Sequence, residues 1–317
     1  MSIKMFNPDE CPLCGADLEF NQVFYVCEGC FTPFNPGELE QVYLNQAKES
    51  AELVGDQIIV EKKNKVATVI INRPEQRNAI SLNMWHRFKY LFEELDGDSD
   101  IRLVVLRGQG SISFSAGADI KEFEQTRATP QQARHYRQAF DSACDALYNL
   151  NKPSIAVIQG HCFGGGFELA LCADLRISSE SASFAIPAAK MGLAIPHSFV
   201  SKIASISGHG NAAYMLLTSR SITSEDAHRT GLVNAVIENN ELENYLKDLT
   251  VQILSLSPNS HSIHKQVLRD IENFGAPANV PSSRLNAPRR ATENPDFHEG
   301  VRAFLEKRKP DFGLTEK

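Results

Sequence analysis

Several features that would direct the reading elsewhere are missing from these 317 residues. No apolar run approaches the roughly 20 residues of a membrane-spanning helix; Val66 to Ile71 and Ile101 to Leu106 are far too short. Basic charge is not in excess: the formal net charge is −7, which argues against a general nucleic-acid binder. Met1 to Asn7 has neither the apolar core of a signal peptide nor an Arg-rich transit pattern, so a cytoplasmic location is expected. Cysteine is scarce and unevenly placed. Four of the seven form Cys11-x-x-Cys14 and Cys27-x-x-Cys30, with twelve residues between the pairs. Cys144, Cys162 and Cys172 sit in apolar surroundings, as buried free thiols do. With no secretion signal, paired CxxC motifs indicate a zinc site rather than disulfides.

What is present divides the chain into four parts. Residues 1–36 are expected to form a zinc ribbon with Cys11, Cys14, Cys27 and Cys30 as ligands, and Leu18 to Phe20 and Val23 to Val26 as a short hairpin. So small a unit buries too little apolar surface to fold alone, so metal ligation supplies most of its stability. Four cysteines fill the zinc, which makes its role structural or partner-binding. Residues 37–56 are polar with Leu39, Val42, Leu44 and Ala47 at helical spacing, and are expected to be a helical linker. Residues 57–250 alternate strand-like and helical patterns: strands at Ile58 to Glu61, Val66 to Asn72, Ile101 to Arg107, Ser154 to Gln159, Leu175 to Ser178 and Asn234 to Ile237, helices over Leu82 to Leu95 and Thr129 to Asn149. Residues 251–317 are mostly helical, ending in Phe297 to Arg308, and suit assembly. The alternation predicts an α/β fold.

Two glycine-rich turns concentrate the chemistry. Ser115-Ala116-Gly117-Ala118-Asp119-Ile120-Lys121 follows one strand-like run, and Gly160-His161-Cys162-Phe163-Gly164-Gly165-Gly166-Phe167-Glu168 follows another. Each leads into an amphipathic run, so each aims free backbone N–H groups at one point, where helix dipoles also favour negative charge. The pair is read as an oxyanion hole. Glu168 lies three residues past Gly165, on the same face one turn on. A carboxylate within the apolar run Phe167 to Cys172 is costly to bury unless it has a partner or a task, which marks it as functional.

From Gln57 to Phe312 the chain resembles the crotonase, or enoyl-CoA hydratase/isomerase, family. Four segments carry the resemblance: Asn72-Arg73-Pro74-Glu75-Gln76-Arg77-Asn78-Ala79, Ala116 to Lys121, Gly164 to Leu169, and Gly300 to Pro310, with Ser224 to Val236 between the last two. The resemblance implies a spiral of repeated ββα units, a C-terminal helical trimerisation region, and trimers or dimers of trimers. It implies a coenzyme A thioester as substrate; no redox cofactor is expected, and the charge balance and short apolar runs leave neither nucleic acid nor membrane as an expected partner. Ala118 and Gly165 match the two N–H donors to the thioester oxygen, and Glu168 matches the first catalytic glutamate of hydratases. Gln76 and Arg77 fall where the family lines the CoA nucleotide site. Ala116, Asp119, Ile120 and Lys121 belong to the same CoA-binding segment, near adenine and pantetheine, and Phe304 and Lys307 match tail positions that reach CoA across a subunit boundary.

One departure stands out. Hydratases of this family carry a second glutamate in a Pro-Glu pair; here Pro187 is followed by Ala188. An isomerase, which uses that glutamate, is disfavoured. Hydration of an enoyl-CoA by Glu168 leads, with Lys190 and His197 as the nearby groups available to replace the missing carboxylate. Decarboxylation or hydrolysis of an acyl-CoA, which needs the oxyanion hole but not both carboxylates, stays open. So does a non-catalytic acyl-CoA-binding protein whose zinc head recruits a partner. His161, beside the second turn, is read as a packing residue.

Overall fold

The apolar runs of the central chain build a sheet buried on both faces. In a computed structural model of the protein, Leu18–Phe20, Tyr25–Cys27, Pro33–Phe34 and residues 36–313 are described. The first three form a small antiparallel sheet of β1 (Leu18–Phe20), β2 (Tyr25–Cys27) and β3 (Pro33–Phe34), with Leu18 opposite Cys27. The hairpin expected there is present, with its second strand two residues later than the sequence suggested. Cys11, Cys14 and Cys30 lie outside the described residues. Among the described residues no group of three or more His, Cys, Asp or Glu side chains gathers to hold a metal. Nor is any helix among them long and apolar enough to cross a membrane.

The remaining strands are β4 (Ile58–Lys63), β5 (Val66–Ile71), β6 (Leu103–Gly108), β7 (Ser113–Ser115), β8 (Ser154–Ile158), β9 (His161–Phe163), β10 (Leu175–Ser179), β11 (Ser183–Ala185), β12 (Ile222–Thr223) and β13 (Ala235–Ile237). Six make one sheet in the order β13-β10-β8-β6-β5-β4, parallel except for the β4–β5 hairpin. Four make a second in the order β12-β11-β9-β7. The chain visits the sheets alternately: β6 then β7, β8 then β9, β10 then β11. This is an α/β spiral of the kind the resemblance implies.

Alternation of side chains along each strand explains the unbroken apolar runs. Val104, Leu106, Ala156 and Ile158 face one core, while Leu103, Val105, Ile155 and Val157 face another, closed by Leu242, Ile253 and Leu254. The first core is filled from the helix Leu82–Gly97, which buries Met84, Trp85, Phe88, Leu91, Phe92 and Leu95 at helical spacing and is capped by the Ser81 hydroxyl. The helix Pro130–Tyr148 packs beside it. It begins at Pro130 because the Thr129 side chain and Gln132 cap each other reciprocally.

The C-terminal helices Leu242–Leu254, Pro258–Phe274 and Pro295–Leu305 follow. The last one stops three residues short of the expected Arg308. Lys307 turns left-handed (φ 53°), and the N–H groups of Lys307 and Arg308 donate back to Phe304 and Ala303. These are the two bonds of a Schellman motif, which ends a helix by satisfying its orphan carbonyls.

Candidate active site

Construction of the site begins at the loop after β5. Arg77 and Asn78 are both left-handed (φ 52° and 55°), a conformation that asparagine tolerates better than most residues. The buried Asn78 amide donates to the Ser113 and Gln109 carbonyls (2.6 and 3.1 Å) and its oxygen accepts from Arg73 N–H (3.0 Å). In return the Ser115 hydroxyl donates to the Asn78 carbonyl (2.8 Å) and Ala116 N–H to the Arg77 carbonyl (2.9 Å). The loop is thereby stapled to β7.

This staple sets the direction of the first N–H donor. Ile80 N–H donates to the Gly117 carbonyl (2.8 Å) and Asp119 N–H to the Ile80 carbonyl (2.9 Å), a parallel bridge centred on Ala118. A parallel bridge uses the groups on either side of its central residue, so the Ala118 N–H points away from it. Gly165 opens the helix Gly165–Cys172, and as a first-turn residue its N–H has no intrahelical partner. Among the described residues neither N–H has an acceptor. The two segments touch. A Cβ on Gly117 (φ +95°) would lie 2.8 Å from the Phe163 carbonyl and 3.1 Å from the Gly165 nitrogen. A Cβ on Gly165 would lie 2.9 Å from the Phe140 ring, 3.3 Å from Trp85 and 3.6 Å from the Ala118 nitrogen. Glycine is required at both positions by close approach.

Glu168 follows one turn later, 4% exposed, and its Oε2 has no hydrogen-bond partner. Burial pushes its carboxyl up to about 7; Arg137 pulls against this, Asp141 adds to it, and Arg127 pulls against it more weakly. Ionising a carboxylate away from water is unfavourable, so the group titrates in the range where a proton can be both taken and returned. Side chains that the sequence did not single out lie nearby: Trp85 and Phe140 against Gly165, and Arg127 and Arg137 through their charge on Glu168. Trp85 Nε1 donates to the Tyr136 hydroxyl (3.0 Å). The Arg127 guanidinium lies 3.8 Å from the centre of the Tyr136 ring and 4.3 Å from that of Phe123. Arg137 donates to Asp141 (Nε to Oδ2 2.6 Å) beside the Phe140 and Phe199 rings.

The residues expected near CoA divide into two groups. Gln76, Arg77, Ala116, Asp119, Ile120 and Lys121 are gathered by the bonds just described; Gln76, Arg77, Ile120 and Lys121 are exposed, whereas Asp119 is engaged by Arg73 (2.8 Å) and caps the following turn. Phe304 and Lys307 are not brought to them within one chain. Phe304 is 83% exposed, and the tail packs at the start of β6, where Arg102 donates to the Phe312 and Leu256 carbonyls. That is the end of β6 opposite to the one leading to Ala118.

On the other side, Gly164 N–H donates to the Ala185 carbonyl (2.8 Å), and the chain turns two residues later at Pro187–Met191. Ala188 is half-buried and lines an apolar cavity of about 200 Å3 with Ile186, Leu193, Ile195, Val200 and Leu216. Lys190 and His197 are both exposed. His161 packs against Phe163 with its Nδ1 3.0 Å from the Ser183 hydroxyl.

This geometry has clear relatives. The enoyl-CoA hydratase/isomerase family model matches residues 61–315. The chain is 32% identical over 255 residues to the short-chain-enoyl-CoA hydratase of Clostridium acetobutylicum, covering 80% of this chain and 95% of that protein. It is 31% identical over 260 residues to the crotonyl-CoA hydratase of Syntrophomonas wolfei, covering 81% and 98%. The crystal structure of an enoyl-CoA hydratase/carnithine racemase from Magnetospirillum magneticum superposes with a TM-score of 0.77 at 33% identity, covering 81% of this chain and 96% of that one. The chain belongs to the enoyl-CoA hydratase/isomerase family.

Proposed function

We propose that the protein is an acyl-CoA-processing enzyme that adds water across the 2,3 double bond of an enoyl-CoA. The observation that carries this reading is the meeting of two unbonded N–H donors with a buried carboxyl titrating at about 7. Attack at the β carbon moves electron density through the α carbon onto the thioester oxygen. The N–H groups of Ala118 and Gly165 receive that charge, and one such donor is worth about 10²–10³ in rate. Glu168 takes the proton from water as the new C–O bond forms. The α carbon then takes a proton from solvent, which balances the addition without a second carboxylate. Gln76, Arg77, Ala116, Asp119, Ile120 and Lys121 hold the CoA moiety. Phe304 and Lys307 complete its site from a neighbouring subunit of a trimer or dimer of trimers, a role that the exposure of Phe304 supports.

The same reading assigns residues 1–36 to a zinc ribbon ligated by Cys11, Cys14, Cys27 and Cys30, 37–56 to a helical linker, 57–250 to the spiral core and 251–317 to assembly, in a cytoplasmic enzyme. One tightly held zinc per chain, lost in Cys11→Ser, is the expected metal content. A second reading rests on Ala188 and its apolar surroundings: decarboxylation or hydrolysis of an acyl-CoA, or binding without turnover. The deciding assay follows loss of the conjugated thioester absorbance with crotonyl-CoA and longer 2-enoyl-CoAs. Hydration that falls by about 10²–10⁴ in Glu168→Gln supports the first reading. Thioester binding with no hydration in the unaltered protein would remove it.

A further inference from the structure

The helices Leu82–Gly97 and Pro130–Tyr148, joined by the Trp85–Tyr136 hydrogen bond, carry a histidine pair next to those residues. His86 and His135 present their Nε2 atoms to each other at 3.3 Å, with ring centres 5.1 Å apart and planes inclined by 40°. His135 is exposed and His86 is half-buried, so the pair opens to solvent. We propose that His86 and His135 form a site for a borderline divalent transition-metal ion, zinc foremost, that bridges the two helices.

The spacing argues for chelation. Zinc–nitrogen bonds of about 2.0–2.1 Å meeting at the tetrahedral angle place two ligand nitrogens about 3.3 Å apart. That equals the separation observed. The same separation also allows a hydrogen bond between the rings, which the ion would replace. The separation of the two nitrogens therefore need not change to admit the ion. Water supplies the remaining positions, because only two protein ligands are present.

Protonation favours the same use. Burial, together with the neighbouring His135 and Lys89, holds His86 down at about 4, so near neutral pH its ring is uncharged and the metal displaces no proton from it. Lys89, one turn along the same helix, is the opposing charge, and it limits affinity rather than blocking the site. The helices are already fixed against each other by the buried Trp85–Tyr136 bond, so the second ligand comes at high effective concentration.

The test uses the full chain as isolated, desalted and then titrated with Zn2+ by calorimetry. The unaltered protein is expected to take up an additional equivalent and to melt at a higher temperature as it does so. His86→Gln and His135→Gln should each weaken that equivalent by about a hundredfold and abolish the thermal shift. Before zinc is added, their melting curves should match that of the parent; His135 is exposed, so its replacement perturbs no core. Because the readout is the difference between parent and variants, it is independent of how much zinc the cysteines hold. Uptake that persists undiminished in both variants would put the ion elsewhere, for example at His261 and His264, and overturn the proposal. So would the absence of any additional equivalent in the parent.

Discussion

The two sides of the site, both reached from the contact between Gly164 and Ala185, are built to opposite standards. On one side every group is constrained: Ala118 by a bridge, Gly117 and Gly165 by close approach, Glu168 by burial. On the other, the turn Pro187–Met191 offers an alanine over an apolar cavity, with Lys190 and His197 left in solvent. Preorganised donors gain their advantage by costing no rearrangement when charge develops. A proton to the α carbon makes no such demand, because bulk water can deliver it. The asymmetry therefore fits an enzyme that keeps the charge-stabilising half of the machinery fixed and leaves the protonation half to solvent.

The comparison can be broken hardest on the constrained side. Gly117→Ala drives a methyl between the Phe163 carbonyl and the Gly165 nitrogen, and kcat/KM for crotonyl-CoA is expected to fall by about 10²–10³. Activity close to the parent's would mean that the two donors do not act together.

Burial of Glu168 has a thermodynamic signature as well. Its folded value of about 7 lies above the ordinary 4.5, so the native state keeps a proton that the unfolded chain releases between those values. The stability due to the neutral carboxyl is complete below pH 4.5 and is lost as pH rises through 7. Glu168→Gln cannot ionise, so it should be more stable than the parent by about 3 kcal/mol at pH 8, with the difference gone at pH 4. Urea melts at the two pH values measure this. A difference independent of pH would show that Glu168 is not held neutral by its surroundings.

On the open side, Ala188→Glu sharpens the contrast instead. A second carboxyl at the edge of the apolar cavity is expected to raise hydration about tenfold by supplying the α-carbon proton from a fixed group. Steady-state rates with crotonyl-CoA decide it, and an unchanged or lower rate would show that solvent already meets the need.

How much of this was legible in the sequence depended on the range of the interaction. Long apolar runs located β5, β6, β8 and β10 to within a few residues, because a strand buried on both faces leaves no polar alternation to blur its ends. The three-residue strands Ser113–Ser115, His161–Phe163 and Ser183–Ala185 were not read as strands, since so short a stretch carries no period. The glycine turns that carry Ala118 and Gly165, and the offset that places Glu168, are local patterns, and the resemblance assigned Ala118 and Gly165 their place in them. Trp85, Arg127, Tyr136 and Arg137 could not be picked out. Arg127 and Arg137 act on Glu168 from some thirty to forty residues away in the chain, and Trp85 meets Tyr136 where two helices pack, at a separation of 51. Asn78 left a trace, in the family-like segment Asn72 to Ala79, but its task of stapling two loops appears only in the bonds it makes.

The fork of Arg102 bears on the order of events during synthesis. It joins residues 210 positions apart, Arg102 to Phe312, and the buried Lys265 reaches back to the Lys152 carbonyl (2.7 Å) and to Asp174. Closing loops of that length pays its entropy before any contact repays it. The strands from β4 to β13 all precede these ties in the chain, so the whole spiral leaves the ribosome before the residues that fasten it do. Residues 265–312 thus lock after the spiral, which has to persist unfastened until they emerge.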